Sequence, residues 1–419
     1  ANRCLYCYDA PCTHAYPTHI DVPSFIKKIA SDNLTGSARV IFDANPIGAS
    51  CARVCPVEAL CEGACVEKTL VEKPIEIGRL QRYATDDAIS KGKELFKAGE
   101  PNGKSIGIIG SGPAGLSCAA YLARLGYAVT VYEKKALAGG LDTYGMAEYK
   151  MSQKDSLAEV GMVEKLGVSF ALNAEIVQGP KSNVQSSEQI GFDQLQNEHD
   201  AIFIGMGLGK SNDLNIEGED KDGVYEALDF IETIKTRDWE SVPIGKTVAV
   251  IGAGNTAIDA VTQAKRLGAE KVMLVYRKTE KDISAYDYEY ELAKKDGVEF
   301  VWQASPIEIS GNGKVEALRC RKTDGSEEVL EIPCDMVIKA IGQKKQKGFF
   351  EQLGIALDEK GRVKVNENMQ TSERLIFAGG DCVNGGAEAV DASQAGKLAA
   401  IGIHFVLTGE ETRFAGSTN

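Results

Sequence analysis

Two patterns of hydrophobic and polar positions follow one another along this chain. In the first hundred residues, apolar side chains recur at helical spacing in the segments Val22–Ala30, Gly36–Phe42 and Ile77–Ile89. After a polar, glycine- and proline-bearing stretch at 98–104, short apolar runs alternate with glycine turns and helical patterns, which is typical of β-α-β units. The sequence therefore predicts a helical N-terminal region followed by an α/β fold.

The α/β pattern runs through the chain twice, starting at strand Ser105–Ile109 and again at strand Thr247–Ile251. The other predicted elements are the strands Ala128–Tyr132, Val168–Ala171, Ala201–Gly205, Lys271–Tyr276, Met336–Ile341 and Leu375–Ala378, and a last helix from about Glu388 to Val406. We predict three domains: a helical one over 1–100, a discontinuous nucleotide-binding one over 101–208 and 346–419, and a second nucleotide-binding one over 209–345, inserted into the first.

A glycine-rich motif follows the first strand. Its glycines allow a tight turn, close approach of a pyrophosphate to the backbone, and close packing of strand and helix. The free amides at the start of the next helix favour an anion. The following strand ends in Glu133, where an acid accepts a ribose hydroxyl, so the motif predicts FAD contacts at Gly110, Ser111, Gly112, Pro113, Ala114, Gly115 and Glu133.

The second glycine-rich motif has a basic ending instead. Arg277 and Lys278 stand where an acid would select NAD, and their charge suits a 2′-phosphate, so NADPH is favoured modestly over NADH. A solvated pair of basic residues at a strand end is the alternative. The residues predicted to bind the nicotinamide nucleotide are Gly252, Ala253, Gly254, Asn255, Thr256, Arg277, Lys278, Ala340, Ile341 and Gly342.

A late glycine pair followed by Asp381 suits the ribityl or pyrophosphate part of FAD, and the first turn of the last helix suits the flavin ring. These contacts would come from Gly380, Asp381, Glu388, Ala389 and Val390. Two different dinucleotides on one chain indicate a flavoprotein reduced by NAD(P)H. Hydride transfer between the two cofactors needs alignment and no catalytic side-chain acid or base.

Charge and composition narrow the class of protein. Lys and Arg number 47 against 60 Asp and Glu, which gives a net charge of −13 and argues against nucleic-acid binding. No apolar run reaches the roughly 18 residues that span a bilayer, and no signal peptide is visible. We expect a cytoplasmic protein without a membrane segment. The sequence starts directly before a cysteine motif, which leaves room for residues upstream of Ala1.

Seven of the 11 cysteines lie in the first 65 residues, in two groups. The groups are Cys4, Cys7 and Cys12, and Cys51, Cys55, Cys61 and Cys65. Such spacings, with a proline after Cys55, are typical of iron–sulfur ligation. Zinc held by the first group with His14 is the main alternative.

Linked motifs in the N-terminal region, including Arg3-Cys4-Leu5, Pro17-Thr18-His19-Ile20-Asp21, Asn45-Pro46 and Ile77-Gly78, resemble the N-terminal half of dihydropyrimidine dehydrogenase, a separate subunit in many bacteria. The resemblance spans essentially the whole chain. It implies two Rossmann-like domains of the glutathione-reductase kind, for FAD and NAD(P)H, preceded by an α-helical iron–sulfur domain. The small subunit of glutamate synthase is a wider relative, and Gln81 favours the dihydropyrimidine branch.

The resemblance also implies ligands. One [4Fe–4S] cluster would take Cys4, Cys7, Cys12 and Cys65, and the second would take Cys55, Cys61, Gln81 and the position of Tyr16, where the family has cysteine. Three possibilities stay open: Tyr16 ligates iron, Cys51 or His14 replaces it, or the second cluster is altered or absent. Cys51 is expected to be a bystander.

Further FAD contacts implied by the resemblance are Val54, Gly140, Leu141, Lys150 and Ile176. Lys150 stands where the family has arginine, and Ser284 replaces a basic residue used for the NADPH phosphate, which weakens the NADPH assignment.

The implied function is an electron-input subunit. It would pass electrons from NAD(P)H through FAD and [4Fe–4S] clusters to a partner subunit with FMN and iron–sulfur centres, in a hetero-oligomer that interconverts uracil or thymine and the dihydro base. The alternative is the same device feeding a glutamate synthase large subunit.

Overall fold

The computed structural model describes residues 1–178 and 188–416. These residues form two compact units. The first comprises Ala1–Thr143, Gln153–Leu208 and the C-terminal part from Lys345, and the second comprises Tyr144–Ser152 and Gly209–Lys344. The N-terminal cysteine-bearing region belongs to the first unit, so its status as a separate domain stays a prediction.

The helices, in chain order, are α1 (Pro11–His14), α2 (Val22–Ala30), α3 (Leu34–Ala44), α4 (Gly48–Val54), α5 (Val66–Val71), α6 (Ile77–Ser90), α7 (Pro113–Arg124), α8 (Leu141–Tyr144), α9 (Gln153–Glu164), α10 (Phe192–Glu198), α11 (Ala227–Thr236), α12 (Asn255–Arg266), α13 (Asp287–Lys295), α14 (Lys347–Gln352), α15 (Asp381–Asn384) and α16 (Ala389–Thr408).

The strands are β1 (Ser105–Ile109), β2 (Ala128–Glu133), β3 (Ser169–Leu172), β4 (Ala174–Val177), β5 (Glu188–Gly191), β6 (Ala201–Ile204), β7 (Val224–Glu226), β8 (Thr247–Ile251), β9 (Lys271–Val275), β10 (Glu299–Val301), β11 (Ala304–Ser310), β12 (Ala317–Lys322), β13 (Val329–Pro333), β14 (Met336–Lys339) and β15 (Ile376–Ala378). Every strand and helix predicted from the sequence is present, with ends that differ by at most two residues.

The first unit is built on a parallel sheet in the order β15-β6-β1-β2-β3. Strand β15, from the end of the chain, pairs with β6 so that Ile376 lies opposite Ile202. The first sheet thus contains strands from both sides of the second series of β-α-β elements, and the domain boundaries stay a prediction. Helices α7 and α16 pack against each other at this sheet, and α16 approaches so closely that a Cβ on Gly396 would lie 2.2 Å from the carbonyl oxygen of Ala114.

Two of the N-terminal helices of the first unit, α2 and α3, begin at side-chain caps. The Asp21 carboxylate accepts a hydrogen bond from the Ser24 amide at 3.0 Å, and the Asn33 side chain accepts one from the Gly36 amide at 2.9 Å. Each cap satisfies a backbone donor that the helix leaves unpaired. Helices α3 and α4 both pack against α6, and Cys51 of α4 and Cys55 directly after it belong to a buried cluster.

The second unit contains a parallel sheet in the order β10-β9-β8-β14-β7. It also contains an antiparallel sheet of β11, β12 and β13, which the sequence pattern did not predict. Among the described residues, none of the helices is long and apolar enough to cross a membrane. The predicted α/β class is confirmed in both units.

Candidate cofactor sites

The first glycine motif forms a tight turn between β1 and α7. Gly110 has a φ of +94°, and a Cβ on it would lie 2.6 Å from the carbonyl oxygen of Gly205. A Cβ on Gly115 would lie 2.0 Å from the carbonyl oxygen of Gly110, so strand and helix touch through backbone. In contrast, a Cβ on Gly112 would meet nothing nearer than Gly140 Cα at 3.9 Å. The start of α7 therefore faces open space in which a pyrophosphate fits.

Glu133 ends β2 beside this turn and is buried. Its Oε2 accepts hydrogen bonds from the amide and the hydroxyl of Ser111, at 3.1 and 2.6 Å, and its Oε1 accepts one from the Lys135 amide at 2.9 Å. These donors fix the carboxylate at the edge of the glycine turn. This is where the adenosine ribose of a bound FAD needs an acceptor.

The late glycine pair comes back to the same turn. Gly380 has a φ of +75°, and a Cβ on it would lie 3.1 Å from the Cβ of Ala114. Asp381 then begins α15; burial raises its pKa, and its Oδ1 accepts a hydrogen bond from the Ala387 amide at 3.3 Å. The structure thus brings Gly380 to the first glycine motif, from which it is separated by more than half of the chain.

The remaining FAD candidates of the first unit occupy defined elements. Glu388 caps α16 through a reciprocal pair with Asp391, so that Ala389 and Val390 form its first turn. Leu141 begins α8 directly after Gly140, Ile176 lies buried on β4, and Val54 ends α4. Their contacts to FAD stay predictions.

Lys150 lies in the second unit instead. Its Nζ is 2.7 Å from Asp259 Oδ1 and 2.6 Å from Glu289 Oε1, and all three side chains are largely buried. The two carboxylates raise the pKa of Lys150 although burial opposes this shift. The lysine is therefore engaged in an ion-paired triad, and its predicted role in binding FAD stays a prediction.

The second glycine motif lines a cavity of about 590 Å³ in the second unit. Gly252 has a φ of +131° and packs on the carbonyl of Ala340, whereas a Cβ on Gly254 would meet only the Ser284 hydroxyl at 3.5 Å. The predicted residues that line this cavity are Gly252, Ala253, Gly254, Thr256, Arg277, Ala340, Ile341 and Gly342. The arrangement leaves the start of α12 open to a phosphate, as a dinucleotide requires.

The two basic residues after β9 differ in position. Both are exposed, but Arg277 lines the cavity, together with Ser284, while Lys278 is not among the lining residues. Asn255 does not line it either, because its Oδ1 accepts a hydrogen bond from the Tyr286 amide at 3.1 Å. Lys339 lines it and was not predicted; it pairs with Glu219 at 2.7 Å and Glu226 at 2.8 Å. Its position directly before Ala340, a predicted nucleotide-binding residue, was the feature of the sequence that could have indicated this role.

The four cysteines of the first implied ligand set surround a single pocket. Cys4, Cys7, Cys12 and Cys65 line it together with apolar side chains, including Val22, Ile26 and Ile75. Burial and the neighbouring thiols of Cys65 and Cys4 raise the pKa of Cys12 to about 12. The sulfurs thus converge on a space with apolar walls, and this donor set fits an iron–sulfur cluster.

The second group is buried and differently arranged. Gln81 Nε2 donates hydrogen bonds to the Tyr16 hydroxyl at 3.1 Å and to the Gly48 carbonyl oxygen at 2.7 Å. The Asn45 amide donates to Cys51 Sγ at 3.1 Å. A hydrogen bond with Cys51, followed by burial, raises the pKa of Cys55, and burial raises that of Cys61 to about 12. Burial also holds the pKa of Tyr16 well above 10.

His14 belongs to neither group. Its side chain is 62 % exposed and its Nε2 lies 2.5 Å from Asp9 Oδ1. Within residues 1–178 and 188–416, no three His, Cys, Asp or Glu side chains are arranged to hold a single metal ion. The geometry therefore gives no support to a zinc site of Cys4, Cys7, Cys12 and His14, or to His14 as a replacement ligand.

Comparison with known proteins agrees with this arrangement. Residues 104–396 match the pyridine nucleotide-disulphide oxidoreductase family, and residues 1–93 match the family described as dihydropyrimidine dehydrogenase domain II, 4Fe-4S cluster. The NADPH glutamate synthase small chain of Halomonas elongata is 34 % identical over 96 % of this chain and 89 % of its own length. The NAD-dependent dihydropyrimidine dehydrogenase subunit PreT of Escherichia coli is 34 % identical over 98 % and 94 %.

Among solved structures, the thioredoxin reductase of Lactococcus lactis matches with a TM-score of 0.58 and 25 % identity, covering 73 % of this chain and 99 % of the reductase. These matches, with the two glycine turns and the pocket of four cysteines, show an NAD(P)H-dependent oxidoreductase that uses FAD and a 4Fe-4S cluster. The chain belongs to the pyridine nucleotide-disulphide oxidoreductase family and carries the 4Fe-4S domain of dihydropyrimidine dehydrogenase at its N-terminus.

Proposed function

We propose that this chain is the electron-input subunit of an NAD(P)H-dependent dihydropyrimidine dehydrogenase. FAD accepts electrons in pairs from a nicotinamide and releases them singly, which suits an iron–sulfur outlet. The observation that carries the proposal is that Cys4, Cys7, Cys12 and Cys65 line one pocket in the same compact unit as the FAD turn. A chain with both features can accept electrons in pairs and deliver them one at a time.

The chain's residues have three tasks in this scheme. The start of α7 and the Glu133 carboxylate hold the pyrophosphate and ribose of FAD, and the cavity at Gly254 holds the nicotinamide nucleotide. Arg277 supplies positive charge at that cavity, which supports NADPH over NADH. The apolar residues around the four cysteines keep water from a cluster bound there and so tune its potential.

The outlet lies on the face where the cysteines reach the surface. Cys4, Cys7 and Cys12 are partly exposed, while the other eight cysteines are buried. Exposed apolar side chains lie close to this pocket in sequence, namely Leu5, Tyr6, Tyr8, Leu70 and Val71. We propose that the partner subunit, with FMN and iron–sulfur centres, approaches this face in a cytoplasmic hetero-oligomer, because only an acceptor close to the cluster can receive its electrons.

The dihydropyrimidine assignment rests on the relative named as a dehydrogenase subunit and on Gln81. The second candidate is an electron-input subunit for a glutamate synthase, supported by the equal identity to the glutamate synthase small chain. Isolation of the tagged chain from its native cells separates the two. A partner that contains FMN and consumes uracil with NAD(P)H supports the first, and a partner with glutaminase activity supports the second.

The oxidoreductase step itself is tested on the purified chain under argon. Addition of NADPH or NADH should bleach the flavin absorbance and support ferricyanide reduction. A variant with Tyr8 and Leu70 replaced by Ser should keep both activities and lose electron delivery to the partner subunit. A flavin that neither nucleotide reduces contradicts the proposed function.

A further inference from the structure

The group of buried side chains around Tyr16 does not fit the second cluster that the family resemblance implies. Tyr16 is 2 % exposed and takes the place of one cysteine ligand. Its hydroxyl accepts hydrogen bonds from Gln81 Nε2 at 3.1 Å and from Asn45 Nδ2 at 3.5 Å. The phenol therefore lies among the residues that would have to surround an iron–sulfur cluster, and it is held there from two sides.

Asn45 has a fixed orientation in this contact. Its Oδ1 accepts hydrogen bonds from the Ser393 hydroxyl at 2.8 Å and from the Ile47 amide at 3.2 Å. Because the oxygen already has two donors, the amide NH2 must face Cys51 Sγ and the Tyr16 hydroxyl. A donor locked in this way stabilises the observed position of the phenol.

Gln81 also donates a hydrogen bond to the Tyr16 hydroxyl. Its Nε2 donates both to Tyr16 and to the Gly48 carbonyl oxygen at 2.7 Å, which places the amide between α4 and the phenol. Gln81 and Tyr16, two of the implied iron ligands, thus form a hydrogen bond with each other, and Gln81 also bonds to the backbone. By contrast, Cys4, Cys7, Cys12 and Cys65 line a common pocket.

The size of the Tyr16 side chain also argues against a second cluster at this position. A phenol is much larger than a thiol, and a close-packed interior has no spare volume for both the ring and a cluster. Helix α4, which bears Cys51 and ends directly before Cys55, is itself anchored, because the amides of Ala49 and Ser50 donate to Glu159 at 2.7 and 2.9 Å. It cannot move aside without loss of these bonds.

We infer that this chain assembles one [4Fe–4S] cluster, at Cys4, Cys7, Cys12 and Cys65, and that the Tyr16 side chain closes the second position. In this state Cys51, Cys55 and Cys61 are buried thiols without iron. The inference rests on the iron–sulfur chemistry of the family and does not depend on the partner or substrate of the proposed function.

The test is the iron and acid-labile sulfide content per FAD of the full chain, purified under argon. We expect about four irons per FAD in the unaltered protein. Tyr16→Cys restores a thiol and removes the ring, so it should raise the content about twofold, to about eight. Tyr16→Phe keeps the ring and should stay at about four.

Tyr83→Cys is the matched control, since this exposed tyrosine lies on the helix of Gln81 and a cysteine there should add no iron. About eight irons in the unaltered chain would overturn the inference, whatever the variants show. A Tyr16→Cys protein that binds FAD fully but stays at four irons would also overturn it. Reduction of the flavin by NAD(P)H is measured separately, so failure of the proposed function is distinguishable from failure of this inference.

Discussion

The carboxylate of Glu159 on α9 accepts a hydrogen bond from the backbone amide of Ser50 at 2.9 Å, in the first turn of α4. It also bonds the Ser50 hydroxyl and the Ala49 amide. These amides lie at the start of a helix, where a carboxylate satisfies unpaired donors and interacts with the helix dipole. One buried acid on α9 thus positions α4, the helix that carries Cys51 and ends directly before Cys55.

Glu159 should make stability depend on pH. Burial, as the largest cause, raises its pKa to about 8. In the unfolded chain the pKa of this carboxyl group is about 4.3, so the folded state binds the carboxyl proton more tightly than the unfolded state does. The protonated group therefore stabilises the fold fully below about pH 4.3, and this stabilisation is lost as the pH rises through about 8. We expect the melting temperature of the unaltered protein to fall relative to Glu159→Gln between pH 6 and pH 8.

Circular dichroism under argon measures the difference in melting temperature between the two proteins at each pH. The titratable groups that both proteins share cancel from this difference. Glu164→Gln, at an exposed position of the same helix, is the control and should show no pH-dependent difference from the unaltered chain. A Glu159→Gln difference that is constant from pH 6 to pH 9 would show that Glu159 does not titrate in this range.

Glu133 should control the affinity for FAD. Glu133→Gln removes the charge from a carboxylate that accepts hydrogen bonds from Ser111 and Lys135, and it places an amide NH2 among donors. Hydrogen bonds to charged groups contribute about 1.5–3 kcal/mol, so we expect about a tenfold or greater rise in the FAD dissociation constant. Flavin fluorescence titration measures it. Exposed Asp193→Asn should bind FAD normally, and equal affinity of both variants would contradict the assigned role.

Arg277 and Lys278 provide a matched pair for nucleotide selection. Arg277 lines the nucleotide cavity and Lys278 does not. Loss of one charged hydrogen bond costs about 1.5–3 kcal/mol, so Arg277→Ala should raise the KM for NADPH about tenfold and leave that for NADH nearly unchanged. Lys278→Ala should change neither by more than about twofold, because Lys278 does not line the cavity. An equal effect of Arg277→Ala on both nucleotides would show that Arg277 does not recognise the 2′-phosphate.

Sequence periodicity predicted the parallel strands well, for a physical reason. Strands such as Ser105–Ile109 and Thr247–Ile251 are short, buried apolar runs that are directly followed by glycine turns. The apolar composition and the glycines that end each run therefore indicate the same strand. Strands β12 and β13 were missed because they are half-buried. Arg319, Arg321 and Glu331 alternate with apolar residues there, and so short an alternation is a weak signal.

The candidate sites divide in the same way. The glycines of both turns carry their function in the backbone and are visible in sequence, as is Arg277. Asn45 and Lys339 act through partners far along the chain, such as Ser393 for Asn45 and Glu219 for Lys339, and only the folded chain brings these together. The family resemblance gave the position of Tyr16 among the implied ligands but not the hydrogen bonds that hold it.

Lys150 should stabilise the second unit, because its removal leaves two buried carboxylates facing each other. Asp259 and Glu289 both lie within 2.7 Å of its Nζ. Loss of one partner from a buried ion pair costs about 3–5 kcal/mol, so Lys150→Met should lower the melting temperature by roughly 6 °C or more. Combining it with Glu289→Gln removes one of the carboxylates and should recover part of the loss.

Exposed Lys154→Met, four residues along, is the control and should melt like the unaltered chain. The same variants decide between two roles for Lys150. If it contacts FAD, as the family resemblance implies, Lys150→Met should reduce the FAD content with little change in melting, and Glu289→Gln should rescue nothing. Rescue of melting by Glu289→Gln together with normal FAD binding would establish the ion-paired triad as its role, because only an electrostatic imbalance within the triad is relieved by neutralising a second member.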